Sequence, residues 1–342
     1  MPTNPYYQGP PSDHFDGQRF FNPGQCSTDR SLGDMLRWKL TKRAARWPKS
    51  VPVTPAKPEP RVAGLRITMV GHATLLIQTA GHNLLTDRWW SERASPLRRL
   101  GPKRVAAPGI DFDDLPPIDT ILLSHNHYHH LDRDTLARLE ARDHPLIVTP
   151  LGNDVILRQK LPEAQIEPRD WSDQVALGNN VIVTIVPAHH WSSRTGRDAR
   201  MALWGGFMLR SPAGLAYFAG DTGLGDGAIF AAMRREHGAP DLAAIPIGAY
   251  APRWFMRDQH TDPDDAVEIL LKLEARRAIG IHWGVLQLTD EPHQQPAERL
   301  AEALYARDID PLRFVAATPG DVYDHLPAGD TAAAEQDEAW IS

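Results

Sequence analysis

The chain has 342 residues with 37 basic and 43 acidic side chains, which give a formal net charge of −6. Hydrophobic residues make up 42% of it, enough for a substantial core in one large domain or two ordinary ones. The slight acidic excess argues against a general nucleic-acid binder, so no nucleic-acid partner is expected. The single cysteine, Cys26, excludes an intramolecular disulfide and fits a reducing compartment.

Residues 1–60 are predicted to form an extension that wraps the surface, because their apolar periodicity is weak and they end in a proline-rich linker. Within this extension, residues 31–47 have helical spacing with apolar and basic side chains interleaved. Such a helix can dock on its own domain, which is the favoured interpretation, or lie on an anionic membrane. The segment 326–342, which is acidic and rich in alanine, is predicted to be a disordered tail.

No run approaches the roughly 20 apolar residues of a membrane-spanning helix, and the first residues lack the features of a secretory signal. The sequence therefore predicts a cytoplasmic protein and leaves peripheral association with a membrane open. A monomer and a homodimer both remain open.

Residues 61–325 are predicted to form the main domain, in which short apolar runs indicate β-strands. The predicted strands cover 67–72, 74–79, 83–87, 119–125, 145–150, 181–188, 202–210, 215–221, 242–249 and 277–283. Helical spacing is found in 132–142, 152–161 and 262–275, with Asp132 or Asp134 as the expected N-cap of the first helix. Strands cluster first and then alternate with helices, an order that predicts two sheets sandwiched between helices.

Polar residues gather where the predicted strands end. They are His125, His127, His129 and His130 in SHNHYHHLD, His189 and His190 after VIVTIVPA, Asp221 after LAYFAG, and His282 after AIGI. In layered α/β proteins, ligands bind at the carboxyl ends of strands, so these segments are expected to converge on one cleft.

His125 and His127 are the residues that most directly indicate a metal. They are two positions apart at a strand end, so both imidazoles point the same way and can hold one ion. A solvated histidine-rich loop is the structural alternative. It is disfavoured because an apolar strand precedes the cluster, a helix follows it, and buried ring nitrogens need partners.

These motifs resemble those of the metallo-β-lactamase superfamily, whose HxHxDH signature is similar to His125-x-His127-x-His129-His130. The branch that hydrolyses N-acyl phosphatidylethanolamine as a phospholipase D, with its bacterial relatives, is the more similar one. The likeness runs from about residue 62 to 320. Its motifs are VGHATLLIQTAGHNLLTD (70–87), SHNHYHHLD (124–132), PAHHWSSR (187–194), AGDTG (219–223), IGAYAPRWFM (247–256), HTDPDDAV (260–267) and IHWGVLQLTDEP (281–292).

The resemblance implies an αββα sandwich of two mixed β-sheets flanked by helices, with two metal ions, usually zinc; manganese and iron are alternatives. Carried over by position, it assigns His125, His127 and His189 to the first ion, His130 and His282 to the second, and Asp221 to both. One position departs from the pattern, because His129 stands where the family has an aspartate.

The replacement of aspartate by His129 removes one negative charge from the ligands of the second ion. An imidazole can still donate a nitrogen to zinc, which would leave a stronger Lewis acid but weaken retention of the ion. The larger ring can alternatively force the second ion out. The sequence does not distinguish a natural variant, an engineered substitution and a crippled site.

Further residues are candidates for roles around the metal. Asp87, at the end of NLLTD, is expected to fix a histidine tautomer or to be an ordinary turn residue. His260 is expected to contact the substrate or to cap a helix. Tyr250, Arg253 and Trp254 are candidate substrate contacts. The remaining histidines are interpreted as structural or solvated: His72, His144, His190, His237 and His293.

The resulting hypothesis is a metal-dependent hydrolase with a metal-bound hydroxide as nucleophile. The resemblance favours a phosphodiesterase of the phospholipase D type that acts on N-acyl phosphatidylethanolamine or a similar phosphodiester. Two alternatives stay open: a lactone, ester or amide hydrolase of the same fold, and a binding protein in which His129 has abolished turnover.

Overall fold

The computed structural model describes residues 4–25, 27–41, 43–97 and 99–325. Cys26 and the predicted tail 326–342 lie outside the described residues. The described part folds into two seven-stranded sheets with helices on their outer faces.

The first sheet contains strands β1 to β6 and β14, and the second contains β7 to β13. The strands are β1 (Leu65–Gly71), β2 (Thr74–Thr79), β3 (His82–Thr86), β4 (Thr120–Leu122), β5 (Leu146–Pro150), β6 (Ile166–Arg169), β7 (Gln174–Gly178), β8 (Val181–Val186), β9 (Gly206–Ser211), β10 (Gly214–Phe218), β11 (Leu242–Pro246), β12 (Arg277–Ile281), β13 (Phe314–Ala316) and β14 (Val322–His325). The helices are α1 (Leu32–Thr41), α2 (Arg133–Asp143), α3 (Asn153–Arg158), α4 (Ala228–His237), α5 (Arg253–Met256), α6 (Pro263–Leu273) and α7 (Gln295–Tyr305), with short 3-10 turns at Phe112–Asp114 and Pro311–Arg313.

The two sheets have matching topologies. The strand order is β14-β1-β2-β3-β4-β5-β6 in one and β13-β12-β11-β10-β9-β8-β7 in the other. In the first sheet, β14, β1, β2 and β3 pair antiparallel and β3 to β6 pair parallel. In the second, β7 to β10 pair antiparallel and β10 to β13 pair parallel. Both sheets are therefore mixed, as expected.

The hydrophobic core has three layers. Residues of both sheets, such as Ile67, Ile77, Val183 and Phe218, pack against each other in the central layer. One outer layer joins the first sheet to α2 and α3, and the other joins the second sheet to α4, α6 and α7. This arrangement confirms the predicted αββα sandwich.

The predicted helix α2 illustrates how local chemistry sets an element boundary. Asp132 is its N-cap, and the carboxylate accepts hydrogen bonds from the backbone N–H groups of Asp134 and Thr135. Among the described residues, the strands β6, β7, β13 and β14 and the helices α4, α5 and α7 were not predicted. Most of these are short or lie near polar, proline-containing segments whose periodicity is weak.

The segment before residue 61 contacts the main sandwich at separate points. Phe15 and Phe20 are buried against Trp204, and Trp47 donates a hydrogen bond to the carbonyl of Glu291. Helix α1 is shorter than the predicted 31–47 and has no buried residue, although the Trp38 ring stacks on Phe255. No helix among the described residues is long and apolar enough to cross a membrane. The division of the chain at residue 60 stays a prediction.

Candidate metal centre

Strand direction explains why distant histidines meet. Strands β1, β3 and β4 run the same way in the first sheet, and β8, β10 and β12 do so in the second. Each of these six strands is followed within a few residues by a polar side chain of the site. These side chains are His72 after β1, Asp87 after β3, His125 after β4, His190 after β8, Asp221 after β10 and His282 after β12.

Asp221 lies at the centre of the cluster. Its Oδ1 is 3.1 Å from Nε2 of His282, and its Oδ2 is 3.1 Å from Nε2 of His130. The same Oδ2 lies 3.6 Å from His190, 3.7 Å from His129 and 3.9 Å from His125. Each carboxylate oxygen thus faces different imidazoles, which is the geometry that a bridging ligand needs.

Gly220 allows Asp221 to come this close. Its φ of +60° lies in the left-handed region, where a side chain is strained. A Cβ there would also lie 2.8 Å from Cβ of Ser124, at the end of the other sheet. The glycine therefore permits the close approach of the two strand ends that carry Asp221 and His125.

A first group of possible metal ligands consists of His125, His127, His190 and Asp221, whose donor atoms all lie within 4.8 Å of one another. Nδ1 of His127 is 2.9 Å from Nε2 of His125 and 3.3 Å from Nε2 of His190. One proton on His127 satisfies only one of these two neighbours, whereas a cation satisfies all three nitrogens at once.

Hydrogen bonds behind the rings fix two of these tautomers. The Asp87 carboxylate accepts the hydroxyl hydrogen of Ser124 at 2.6 Å, so the Ser124 oxygen can accept a hydrogen bond from Nδ1–H of His125 at 2.9 Å. Nδ1–H of His190 donates to the carbonyl of Gln259 at 2.9 Å. Both rings therefore present an unprotonated Nε2 to the site, as metal-binding histidines require.

A second group consists of His72, His129, His130 and His282, whose donor atoms also lie within 4.8 Å of one another. Nδ1–H of His130 donates to Asp87 at 2.6 Å, which directs its Nε2 toward Asp221. Asp87 thus contacts His130 directly and His125 through Ser124, and its role in fixing histidine tautomers stays a prediction. The backbone N–H of His282 donates to the carbonyl of His72 at 2.7 Å, which joins the ends of β12 and β1.

The electrostatics of the cluster favour a bound positive charge. Burial alone would raise the pKa of Asp221, but His130 and His282 outweigh it and hold that pKa well below its usual range. Burial likewise favours neutral His130, but the carboxylates of Asp221 and Asp87 raise its pKa to about 10. Burial lowers the pKa of His129 to about 3 and that of His190 to about 4, so these rings are neutral donors.

Several buried polar atoms of the cluster form no hydrogen bond, even where two of them are close, as Nε2 of His282 and Oδ1 of Asp221 are at 3.1 Å, and these atoms test whether the cluster fits metal ions. Among the described residues, such atoms include Nδ1 and Nε2 of His72, Nε2 of His127, Nε2 of His129, Nδ1 and Nε2 of His282, and Oδ1 of Asp221. A buried polar group left unpaired costs about 1–3 kcal/mol, so this concentration calls for a missing partner. Imidazole nitrogens and a carboxylate are donors that divalent transition metals accept, so the residues fit the expected ions.

The placement of His189 was wrong, because the structure brings His190 into the cluster in its stead. The ring of His189 packs near Phe230 and Gly225, on the other side of the chain. Neighbouring residues of an extended segment point in opposite directions, so only one of the two histidines can face Asp221. Val183 of β8 points into the central layer, and strict alternation of side chains along the strand would place His189 on the same side. However, β8 ends at Val186, and the alternation does not continue through Pro187.

Of the two interpretations of His72, structural or solvated, the structure excludes the solvated one. Its ring is completely buried and lies 3.9 Å from the His282 ring and 5.2 Å from the His129 ring, between centroids. The available signal was its place at the end of the predicted strand 67–72, the same rule that selected the other site residues.

The predicted substrate contacts are distributed differently. His260 reaches the cluster, with its ring centroid 5.1 Å from that of His190 and its Nδ1 buried without a partner. Arg253 instead donates to the carbonyl of His260 and pairs with Asp262 and Asp265, so it supports this loop.

Tyr250 and Trp254 have contacts away from the imidazoles. The buried Tyr250 donates its hydroxyl hydrogen to Gln295 at 2.9 Å. Trp254 is 40% exposed and carries the guanidinium of Arg37 over its ring. In this arrangement neither side chain joins the groups around Asp221.

The fold and the metal-binding geometry agree with the family comparison. The model of the beta-lactamase superfamily domain matches residues 82–283, more than half of the chain. The protein therefore belongs to the metallo-β-lactamase superfamily, as its motifs indicate.

Individual proteins are similar to this chain over much of its length. The chain is 37% identical over 273 residues to N-acyl-phosphatidylethanolamine-hydrolyzing phospholipase D 1 of Caenorhabditis elegans, with 77% of this chain and 76% of that protein covered. It is 32% identical over 223 residues to the mitochondrial N-acyl-phosphatidylethanolamine-hydrolyzing phospholipase D of Saccharomyces cerevisiae, with 64% and 47% covered. The structure of Igni18, a metallo hydrolase of Ignicoccus hospitalis, superposes with a TM-score of 0.56 at 15% identity over 76% of this chain and 98% of that one.

These observations define the protein as an enzyme, a metal-dependent hydrolase of the metallo-β-lactamase fold. Its histidine and aspartate clusters are able to bind metal.

Proposed function

We propose that this hydrolase is a phosphodiesterase of the phospholipase D type that acts on N-acyl phosphatidylethanolamine. Two findings together support this proposal most strongly. Imidazoles surround Asp221, and the chain is 37% identical to a protein named N-acyl-phosphatidylethanolamine-hydrolyzing phospholipase D 1. Water would cleave the bond between phosphorus and the ethanolamine oxygen, and the products would be phosphatidic acid and an N-acylethanolamine.

Two zinc ions are the proposed cofactors, because imidazole-rich sites with one carboxylate suit zinc. When bound, they would supply Lewis acidity to a phosphoryl oxygen and lower the pKa of a water molecule. We assign His125, His127 and His190 to the first ion, His129, His130 and His282 to the second, and Asp221 to both. Asp87 orients His125 through Ser124 and orients His130 directly.

His260 is proposed to contact the substrate at this centre. Its buried Nδ1 has no partner among the described residues, and its ring lies 5.5 Å from that of His282. Arg253 holds the His260 carbonyl at 2.8 Å and thereby keeps the ring in place. The proposed contact predicts that His260→Gln lowers turnover while the metal content stays at the wild-type value.

A cavity of about 820 Å³ lies next to the loop that carries His127 and His129, although no residue of the cluster around Asp221 lines it. Tyr128, which lies between His127 and His129 in the chain, lines it together with Arg133 and Arg194. Guanidinium groups recognise phosphate by charge and by paired hydrogen bonds. The same lining also carries the carboxylates of Glu92, Asp132 and Asp134, and Arg194 already donates to the carbonyls of Asn126 and Leu131, so the substrate proposal rests on the relatives and on the metal cluster.

For access to a lipid substrate, we propose that helix α1 contacts the membrane surface. Leu32, Leu36 and Leu40 on α1 are 87%, 57% and 76% exposed, and they recur at helical spacing on one side. Trp38 of the same helix stacks on Phe255 of α5, which leads into the loop that carries His260. A lipid bound by α1 would thus lie beside the segment that leads to His260.

Product analysis tests the activity. Purified protein, loaded with zinc, is incubated with N-acyl phosphatidylethanolamine in mixed micelles, with bis(p-nitrophenyl) phosphate, and with an acyl lactone. Release of phosphatidic acid and N-acylethanolamine is expected, and Asp221→Asn should abolish it. His144→Asn is the matched control, since that histidine is 73% exposed and asparagine tolerates its left-handed backbone.

Two outcomes would overturn the proposal. Preferred hydrolysis of the lactone would assign the same centre to acyl chemistry, and full metal loading without hydrolysis of any substrate would favour a binding protein. The membrane proposal is tested by sedimentation with anionic vesicles, in which Leu36→Glu should reduce binding while hydrolysis in micelles is retained. Unchanged vesicle binding would contradict it.

A further inference from the structure

The geometry points to His72 as a ligand of the second metal ion, which would then be held by four imidazoles and Asp221. No sequence motif assigns this residue to the metal. The inference deepens the proposed function, on which it rests for the presence of two ions, and concerns how this chain retains the second one.

The first observation is the burial of His72. Its relative exposure is 0%, and both ring nitrogens are buried without a hydrogen-bond partner among the described residues. A histidine that serves only for packing normally donates one ring N–H to a nearby oxygen. A cation would provide a partner for the lone pair of one of these two nitrogens.

The second observation is where His72 points. One of its ring nitrogens lies within 4.8 Å of donor nitrogens of His129, His130 and His282. Two nitrogens on one ion at about 2.1 Å are separated by at most about 4.2 Å, so small ring rotations would bring all four to a common centre. The His72 and His282 rings already lie close together, with their centroids 3.9 Å apart and their planes tilted by 38°.

The third observation is the composition of the second group. Its four imidazoles carry no negative charge of their own, and Asp221 must be shared with the first group. His129 contributes Nε2, which lies 3.7 Å from Oδ2 of Asp221. It brings no carboxylate oxygen to the second group. A fourth imidazole from β1 adds a donor to this site and compensates in part for its low ligand charge.

The two metal sites would consequently differ in the number of protein ligands and therefore in the room left for substrate. The first has three imidazoles and a shared carboxylate, a count that leaves zinc room for a further ligand. The second has four imidazoles and the same carboxylate, five ligands in all, which is the expanded coordination number of zinc rather than its usual four. We infer that the second ion is the more enclosed one and that substrate binds to the side of the first ion.

Ring-nitrogen NMR tests the inference directly. Protein labelled with 15N-histidine is freed of metal by a chelator and titrated with zinc, and the His72 signals are identified by their loss in His72→Asn. Asparagine is chosen because His72 has a φ of +54°, a left-handed conformation that asparagine tolerates. One His72 nitrogen should shift to the zinc-bound position with the second equivalent of zinc. Signals that stay at the unliganded position with two zinc ions bound would overturn the inference.

Zinc affinity provides the second measurement. Competition with a chromophoric chelator should show that His72→Asn weakens the second ion by at least about tenfold and leaves the first unchanged. The control His144→Asn should bind both ions as the wild type does. Equal affinity of the second ion in His72→Asn and wild type would contradict the inference.

These readouts separate the inference from the proposed function. If lipid hydrolysis is absent but the His72 signal shifts with the second zinc, the substrate assignment fails and the ligand assignment stands. If phosphatidic acid is released while His72 keeps its unliganded signal, the reverse holds.

Discussion

The two halves of the candidate metal centre are built from the same residue types but are oriented differently. In the first group, the outward nitrogens of His125 and His190 are hydrogen-bonded to Ser124 and to the Gln259 carbonyl. In the second group, Asp87 fixes only His130, while His282 has neither ring nitrogen hydrogen-bonded. The protein thus prearranges the first group, and the second group depends on its ion for much of its order.

This difference has an energetic consequence. A prearranged site loses little conformational freedom when the ion binds, whereas rings that must be ordered by the ion reduce its net affinity. We therefore expect the first ion to bind more tightly than the second. The variants below alter one half, the other or the residue that both share.

The largest effect is expected for Asp221→Asn, because it removes the carboxylate shared by both groups. The uncharged amide weakens attraction for both cations, and the metal content should fall below one ion per chain. Loss of metal polarisation, worth several kcal/mol, should reduce hydrolysis by about 1,000-fold or more. Elemental analysis and product release measure the two effects, with His144→Asn as control. Two retained ions would show that Asp221 does not bridge.

The neighbours His189 and His190 allow a matched test of the first half. His190→Ala should weaken the first ion by about 100-fold or more, since a lost ligand costs more than a lost outer hydrogen bond. His189→Ala should keep both ions and lower only the free energy of unfolding, by about 1–3 kcal/mol, because its ring is buried near Phe230. Chelator competition and urea denaturation distinguish them. The reverse pattern would restore the sequence-based assignment of His189.

His189 and His190 also show how much of the candidate site could be predicted from the sequence. The rule that polar residues follow strand ends located His125, Asp221 and His282, because strand direction in such sheets is constrained by topology. It did not choose between His189 and His190, because the choice depends on backbone geometry after the strand has ended. The same rule applied to His72, but a lone histidine after a strand carries little signal until the second sheet places His282 against it.

The next largest effect is expected for substitution of Asp87, whose carboxylate supports the histidines. Asp87→Asn removes the acceptor for His130 Nδ1–H and weakens the orientation of His125 through Ser124, so it touches both halves at once. Metal affinity or activity should fall by about 10-fold to 100-fold, the usual cost of an outer-shell change. Asparagine fits the φ of +29° at this position, so folding should be retained. Wild-type zinc affinity together with wild-type turnover would show that Asp87 is only a turn residue.

The smallest expected change is a gain, in His129→Asp. A carboxylate adds negative charge to the half that has no carboxylate of its own, and the attraction between unit charges near 4 Å is about 4 kcal/mol at an effective dielectric constant of 20. Desolvation of the new carboxylate offsets most of this attraction, so the second ion should bind roughly tenfold more tightly. Hydrolysis should be at least equal to that of the wild type, measured at saturating zinc. If the variant holds the same metal but is markedly slower, His129 is an adapted ligand whose neutral ring keeps the second ion more electrophilic.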